Sequence, residues 1–489
     1  MPISIPITGP AFDVGVPIQN QQKLINWYLE VDGAGGKSPM IMRPTPGMTT
    51  FCTISGRNSI RGLIDYRGVL YAISDHYLYS VNSSGTATLK GSLNITAAHT
   101  TAPIRWCAYN NQIMIIDSTL AYVYDLTAAT LTQITDTDFP SSVSDCTNQD
   151  GYFLVTETDT LKFYASTFGD AMSWDALDYE NVGATGEYVL GLISDHKQVW
   201  VFTKKSVEVF SIIETVDFPF SRVDGTLMSM GTASIRTLVQ ADNSLFWLAR
   251  DNSGQQLVVR ANGYTPQSIM NVAIAAKFNS YSTLDDAFAF CHRIGNHSFY
   301  VITLPTEGVT WVYDISTGVW HERQSYIGTS YTRHRANCHA YSYNKSLVGD
   351  YQSAVIYYYS TTAYDEGGAT LLRKRVTSPL PFKNYETSIY NLKIDVEPGV
   401  GLSTGQGSDP QIMLRVSVDG GHTYGNTLSR SLGAQGVYTL QPTWDCLGYG
   451  RDWAFEITVT DPVNATILGA TADLDDAVMQ YISASNKRQ

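Results

Sequence analysis

The residues best suited to chemistry are scattered, and their spacing argues for folding roles. Ser417-Val418-Asp419-Gly420-Gly421-His422-Thr423-Tyr424 places a carboxylate two residues after a hydroxyl and just before paired glycines. Asp419 can accept backbone hydrogen bonds across a turn while the glycines take positive φ, which makes the octapeptide a turn lock. Five of the nine histidines, His292, His297, His321, His334 and His339, fall in one stretch, but without HExxH or HxH spacing. They read as packed or surface histidines rather than metal ligands. Gly33-Ala34-Gly35-Gly36-Lys37 lacks the eight-residue phosphate-loop pattern and precedes no strand-to-helix switch, so it reads as a loop. Asp285-Asp286 and the trio Asp473, Asp475 and Asp476 read as helix starts and solvated turns rather than paired catalytic acids, and no GxSxG occurs. No catalytic, cofactor-binding or metal-binding residue is therefore assigned, and the expectation is of no enzyme and no cofactor.

The elements that would position these residues are strands. His297–Gln324 contains three alternating apolar runs, SFYVITL, TWVYDIS and VWHERQ, separated by Pro305-Thr306-Glu307-Gly308 and by Thr317-Gly318. This reads as strand, turn, strand, tight turn, strand. The unit recurs. Hairpin turns flanked by similar strand pairs fall at Arg67-Gly68, Asn110-Asn111, Asp150-Gly151, Asp195-His196, Asp242-Asn243, Gly295-Asn296 and Asn344-Lys345. After each pair comes a run rich in Tyr and Val: YLYSV, LAYVYD, LKFYAS, SVEVFS, QLVVR, TWVYDI and VIYYYS. A period of about 40–50 residues with three or four strands per period is the signature of propeller blades. The fold expected is all-β: a propeller of seven blades, or six if the first or last unit belongs elsewhere.

The domain reading is an extended N-terminal arm over residues 1–55, the propeller over 56–365 and a β-sandwich-like domain over 366–489. The arm is rich in proline and glycine, with one short strand at Ile25–Val31, and must lie on other surfaces to be ordered. It either closes and braces the propeller or docks on a neighbouring subunit. Two insertions interrupt the repeats: Asp170–Gly186, expected as a short helix or loop, and Asn271–Phe290, expected as two short helices with Ser282 or Thr283 capping the second. Past Gly368 the strands lengthen and the loops widen, consistent with a sandwich of roughly 110 residues. The end, SASNKRQ, is expected to fray.

Composition bounds the function. The 489 residues are 44% hydrophobic and 16% charged, with 31 tyrosines and 9 tryptophans suited to sheet faces and buried protein contacts. Net charge is −13, with local basic runs at Lys204-Lys205 and Arg373-Lys374-Arg375. An acidic chain is a poor direct DNA binder, although an acidic wall would repel a phosphate backbone and let it slide. Six cysteines, Cys52, Cys107, Cys146, Cys291, Cys338 and Cys446, show no CxxC and are expected as free buried thiols of a protein assembled in a reducing cytoplasm. The first lysine is Lys23, so no cationic leader is expected, and no apolar run approaches the ~20 residues that span a bilayer.

Several segments together carry a family resemblance: Met1-Pro2-Ile3, Arg43-Pro44-Thr45-Pro46-Gly47, GLISDHKQVWVFTKKSVEVFSI at 191–212, FYVITLP followed by WVYD at 299–314, NKSLVGDYQSAVIYYYS at 344–360, and SVDGGHTYG at 417–425. In this order the chain resembles the packaged-DNA stabilisation proteins, the tail hub or nozzle components of short-tailed bacteriophages. The resemblance implies a structural virion protein without catalysis: a homo-oligomeric ring, a hexamer, added beneath the portal and adaptor ring. Such a ring extends the DNA channel without specific binding, retains the genome, and anchors a needle or plug and tailspikes or fibres. Two other readings stand beside it. The 417–424 motif matches the Asp box of sialidases and, with the aromatics, supports a glycan-binding or glycan-processing propeller. Tyr313–Trp320 matches one kelch signature and supports an interaction scaffold.

Overall fold

A computed structural model of the chain describes residues 2–33, 35–93, 101–183, 185–213, 218–251, 253–380 and 386–475. Met1, Ala34, Asp476 and the terminal SASNKRQ lie outside these residues. Among the described residues, seven antiparallel sheets follow one another at 60–92, 105–133, 143–181, 189–222, 231–268, 288–322 and 336–360. Their inner strands, such as Gln198–Thr203 and Ser244–Arg250, are near-continuous apolar runs, which suits sheets packed on both faces. The fold is an all-β propeller, as the repeat predicts, and a β-sandwich follows it.

The first hairpin turn of each sheet needs left-handed backbone, and the sequence supplies it. Arg67 and Gly68 have φ of 54° and 75°, and Asp242 and Asn243 have 48° and 55°. These are the values of the turns whose twist matches paired strands. Two turns sit one residue from the expected place. They fall at His196-Lys197 and Tyr343-Asn344, because Asp195 pairs with Gln198 and Ser342 with Lys345.

The seventh sheet has only three strands of its own, and its fourth is Gly47–Thr53, which pairs antiparallel with Val355–Ser360. The ring is thus closed from the N-terminal side. The linker after the seventh sheet clamps this strand, since Gly47 N–H donates to Ala363 O and Met48 N–H to Asp365 O, both at 2.8 Å. A side chain at position 47 would strike the carbonyls of Ala363 and Asp365, so glycine is required there.

The segment read as an extended arm forms six short strands. Ile3–Ile5 pairs with Ile467–Leu474, and Trp27–Val31 with Met40–Pro44, in a sheet completed by Thr387–Val396 and Thr443–Asp445. Phe12–Val16 and Asn20–Ile25 join Arg373–Val376, Ala454–Val459, Gln411–Ser417 and Leu428–Ser431 in the second sandwich sheet. Proline and glycine interrupt the arm without preventing pairing. The strand expected over Ile25–Val31 is broken at Asn26, which is fully buried with φ of 54°. Its side-chain amide donates to Gln324 O at 2.9 Å and Leu372 O at 2.7 Å. One residue before it, Ile25 pairs parallel with Glu322, so the sixth propeller sheet runs on into the sandwich. A single core follows this junction, including Trp27, Trp320, Trp444 and Trp453. Burying each such ring contributes on the order of 2–3 kcal/mol.

Both insertion readings need correction. Trp174–Asn181 is the outer strand of the third sheet, paired with Lys162–Ser166 across an irregular register. In the second insertion one helix forms, Val272–Ser280, capped by Asn271, whose side chain accepts from Ile274 N–H at 2.9 Å. Ser282 and Thr283 cap nothing: their N–H groups donate to the Glu307 carboxylate at 2.7 and 2.9 Å, which satisfies them without a second helix.

Candidate interaction surfaces and the propeller axis

The propeller axis is narrow. A cavity of about 300 Å³ lies on it, lined by residues of all seven sheets, among them Gly62, Arg105, Thr147, Leu192, Arg236, Phe288 and Asn337. Ion pairs tie neighbouring sheets beside it. Arg61 grips Asp117 through bonds of 2.6 and 2.5 Å, with both side chains buried. Arg105 grips Asp145 at 2.6 and 3.1 Å. A space of about 300 Å³ cannot admit a duplex whose major groove alone is about 12 Å wide. None of these residues was singled out by sequence. Their signal is a charged residue on the first strand of a sheet, as in IRGLIDY, RWCAY and VSDCTNQ.

The five histidines come together where the sixth and seventh sheets meet the linker. Rings of His292 and His339 lie 6.2 Å apart, and His292 lies 4.6 Å from Tyr359. His334, wholly buried, approaches Glu366 at 3.2 Å and Tyr359 Oη at 2.9 Å. The hydrogen-bond partner of His334 Nδ1 is Ser325 Oγ, at 3.1 Å, while both Glu366 oxygens are buried without a hydrogen bond. Burial pushes His292 well below the usual histidine range, His321 down to about 3, and His334 and His339 down to about 4. His334 is therefore neutral at pH 7. Burial works against the Glu366 carboxylate, whose net shift is downward. With His334 neutral, its charge partners are Arg335, at 3.6 Å, and Arg323, which lies over Tyr359 at 4.9 Å. His297 instead bonds Asp314 at 2.7 Å, and this hydrogen bond, the leading influence, raises it. Asp314 also accepts from Ser316 N–H and Thr317 Oγ1 at 2.9 Å each, so the kelch-like stretch is a locked turn.

The Asp419 carboxylate is consumed at home. It accepts from Ser417 Oγ at 2.7 Å and from Thr423 N–H at 2.9 and 3.0 Å, with Gly420 and Gly421 at φ of 73° and 90°. Against the cost of desolvation, the bonds from Thr423 and Ser417 hold its carboxyl well below the usual range. The turn rests on the N-terminal hairpin, where Gln21 Nε2 donates to Tyr424 Oη at 3.1 Å.

The basic run at 373–375 is internal. Arg373 and Arg375 are both fully buried and donate to main-chain carbonyls, Arg373 to Asp461 O and Tyr364 O at 2.9 and 2.8 Å. Asp285, Asp286 and the 33–37 stretch do not converge with these groups: Asp286 accepts from Thr306 N–H at 2.8 Å, and Asp32 from Gly36 N–H at 2.8 Å. All six cysteines are free thiols. Three depart from the expected burial: Cys291 and Cys338 are half-buried, and Cys446 is exposed because it occupies a left-handed turn position at φ 55° outside the sheets. Apolar side chains stand in solvent at the tip of the N-terminal hairpin, Val14, Val16 and Ile18, and at Val418. Among the described residues no group of histidine, cysteine and acidic side chains could hold a metal, and no helix is long and apolar enough to cross a membrane.

A closed propeller fused through a shared sheet to a sandwich, with its ionic groups turned inward, defines a two-part all-β protein. The family model "Bacteriophage P22 Gp10, beta-propeller" matches residues 20–364, and "Bacteriophage P22 Gp10, beta-sandwich" matches 373–475. The chain belongs to the bacteriophage P22 Gp10 family, structural proteins of the phage tail that assemble with other virion proteins. This bears out the resemblance seen in the sequence. No curated protein matches the chain. Similar solved structures include the computationally designed Ika8 protein, at 12% identity and a TM-score of 0.40, covering 64% of this chain and 100% of that one. The Neurospora crassa Pan2 WD40 domain has 10% identity and a TM-score of 0.39, covering 65% and 94%. BamB from Moraxella catarrhalis has 11% identity and a TM-score of 0.38, covering 74% and 97%. These likenesses are too distant to carry an argument.

Proposed function

We propose that the protein forms a ring, a hexamer by family resemblance, below the portal and adaptor. The ring extends the DNA channel, retains packaged DNA, and anchors a needle or plug and tailspikes or fibres, without catalysis, cofactor or metal. In this reading residues 1–55 brace the subunit, 56–365 form the wall and 366–489 the second contact domain, and assembly takes place in the host cytoplasm. The observation that carries it is the narrow propeller axis. DNA has no way through one chain, so a passage requires several copies around a common axis. The net charge of −13 suits a wall that phosphate slides past. The exposed Val14, Val16, Ile18 and Val418 suit a surface covered by another virion protein. Purified protein mixed with its adaptor ring is expected to form a closed ring with a central opening in electron micrographs, and particles lacking the protein are expected to lose their DNA. A chain that stays monomeric with the adaptor, together with full heads in its absence, would refute the proposal.

A further inference from the structure

The first strands of the sheets converge at the propeller axis, and there two thiols of neighbouring sheets meet. Arg105–Tyr109, the first strand of the second sheet, lies beside Val143–Gln149, the first strand of the third. Side chains alternate along Arg105–Tyr109. Trp106 and Ala108 pack toward the first sheet, against the layer of Tyr71 and Ile73, while Cys107 and Tyr109 pack toward the third. Cys146 is turned the other way, into the same buried layer as Cys107, with Val155 and Trp174 of its own sheet. The ion pair of Arg105 Nε with Asp145 Oδ1, at 2.6 Å, ties the two strands together next to this layer. Both thiols are buried, and they are near enough to hydrogen-bond to each other.

Two thiols in contact across a seam are a disulfide that lacks only an oxidant. The bond draws the sulfur atoms to about 2.05 Å. Starting from contact, rotation of both side chains about χ1 and a slight approach of the strands cover that distance. The oxidant has a way in, because Cys146 lines the axial cavity of about 300 Å³. That space admits a peroxide of two oxygen atoms but not a bulky peptide disulfide. Burial, then the hydrogen bond with Cys107, holds the Cys146 thiol well above its ordinary range. Little thiolate is therefore present, and the oxidation is slow.

We propose that Cys107 and Cys146 form a disulfide between the second and third sheets when the protein leaves a reducing environment and meets a small peroxide. The Cys146 sulfur attacks one peroxide oxygen, the O–O bond breaks, and the departing hydroxide takes up the thiol proton as water, leaving a sulfenic acid. The Cys107 sulfur then attacks the Cys146 sulfur. The S–O bond breaks, and the hydroxyl leaves with the Cys107 proton as a second water. Two thiols are thus oxidised by two electrons, and one peroxide is reduced to two waters. The product staples two blades together at the axis. It is a modification of a single chain and holds whether or not copies assemble into a ring.

The test uses the full chain, reduced, freed of reductant and treated with hydrogen peroxide well below its melting temperature. The sample is alkylated, digested without reductant and read by mass spectrometry. The expected product is a peptide pair joined through Cys107 and Cys146, two hydrogen atoms lighter than the free peptides together and cleaved by dithiothreitol. Its formation is expected to raise Tm by about 5 °C, reversibly. Cys446→Ser, at an exposed thiol, is expected to leave the joined pair unchanged, whereas Cys107→Ser abolishes it. A folded chain that yields alkylated or over-oxidised Cys107 and Cys146 without the joined pair overturns the proposal, whether or not the variants fold. A pair that forms only in urea also overturns it, since contact within the fold then plays no part. A pair that forms without raising Tm overturns the stapling role.

Discussion

Arg375 Nε donates to the main-chain carbonyl of Ile7 at 2.8 Å, joining residues 368 positions apart. The same guanidinium reaches Pro10 O at 3.1 Å and Gln22 Oε1 at 2.5 Å. No carboxylate pairs with it among the described residues, so burial alone pushes Arg375 down, to about 9. Its charge is solvated by the carbonyls of the N-terminal segment. Arg375→Met is expected to strand those carbonyls and cost about 2–4 kcal/mol, measured by denaturant unfolding. Limited proteolysis should cut first between residues 7 and 25. Lysine should not rescue, because it lacks the planar fork that reaches several carbonyls at once.

The buried histidines give a signed pH dependence. His292, His321 and His334 are held neutral in the fold, below their unfolded value of 6.5. The unfolded chain therefore binds more protons as pH falls from 6.5 toward about 4, and stability is lost across that window. Urea midpoints are expected to drop between pH 7 and pH 4.5 by on the order of several kcal/mol in unfolding free energy. The His292→Phe variant should show a shallower fall.

The turn at 417–424 is a structural lock, and its loss should read out as stability. Asp419→Ala removes acceptors for Thr423 and Ser417 and is expected to cost about 1–3 kcal/mol, seen as a lower Tm. Asp419→Asn should recover part of this. A glycan panel should show no change in binding between the variant and the parent chain.

Ring closure depends on Met48, wholly buried on the strand that completes the seventh sheet. Met48→Ala is expected to cost about 2–5 kcal/mol. Hydrogen exchange should rise along Val355–Ser360, its pairing partner, before it rises in the second to fourth sheets.

The propeller was legible because each sheet is local: turn residues such as Asp242-Asn243 and alternating strands lie within one short window. The sandwich strands Thr387–Val396, Gln411–Ser417 and Ala454–Val459 were legible for the same reason. What escaped were pairings across the chain. Nothing near Ile3 announces Ala472 as its partner, and nothing near Met48 announces Tyr359. Arg373-Lys374-Arg375 reads only as a local basic run, because a basic triplet carries no mark of the carbonyls that bury its two arginines. The axial groups Arg236 and Asn337 were hidden more deeply. Each is one polar residue in a different repeat, and only radial closure brings them together.

Ile3–Ile5 is hydrogen-bonded to Ile467–Leu474, so a strand made early in synthesis waits for one made far later. A nascent chain still tethered to the ribosome can form individual blades but cannot complete its sandwich, and must carry an unpaired leading strand throughout elongation. Truncated products are therefore unable to present the finished second domain. The topology acts as a length check, withholding the finished domain from any chain that stops before Ile467.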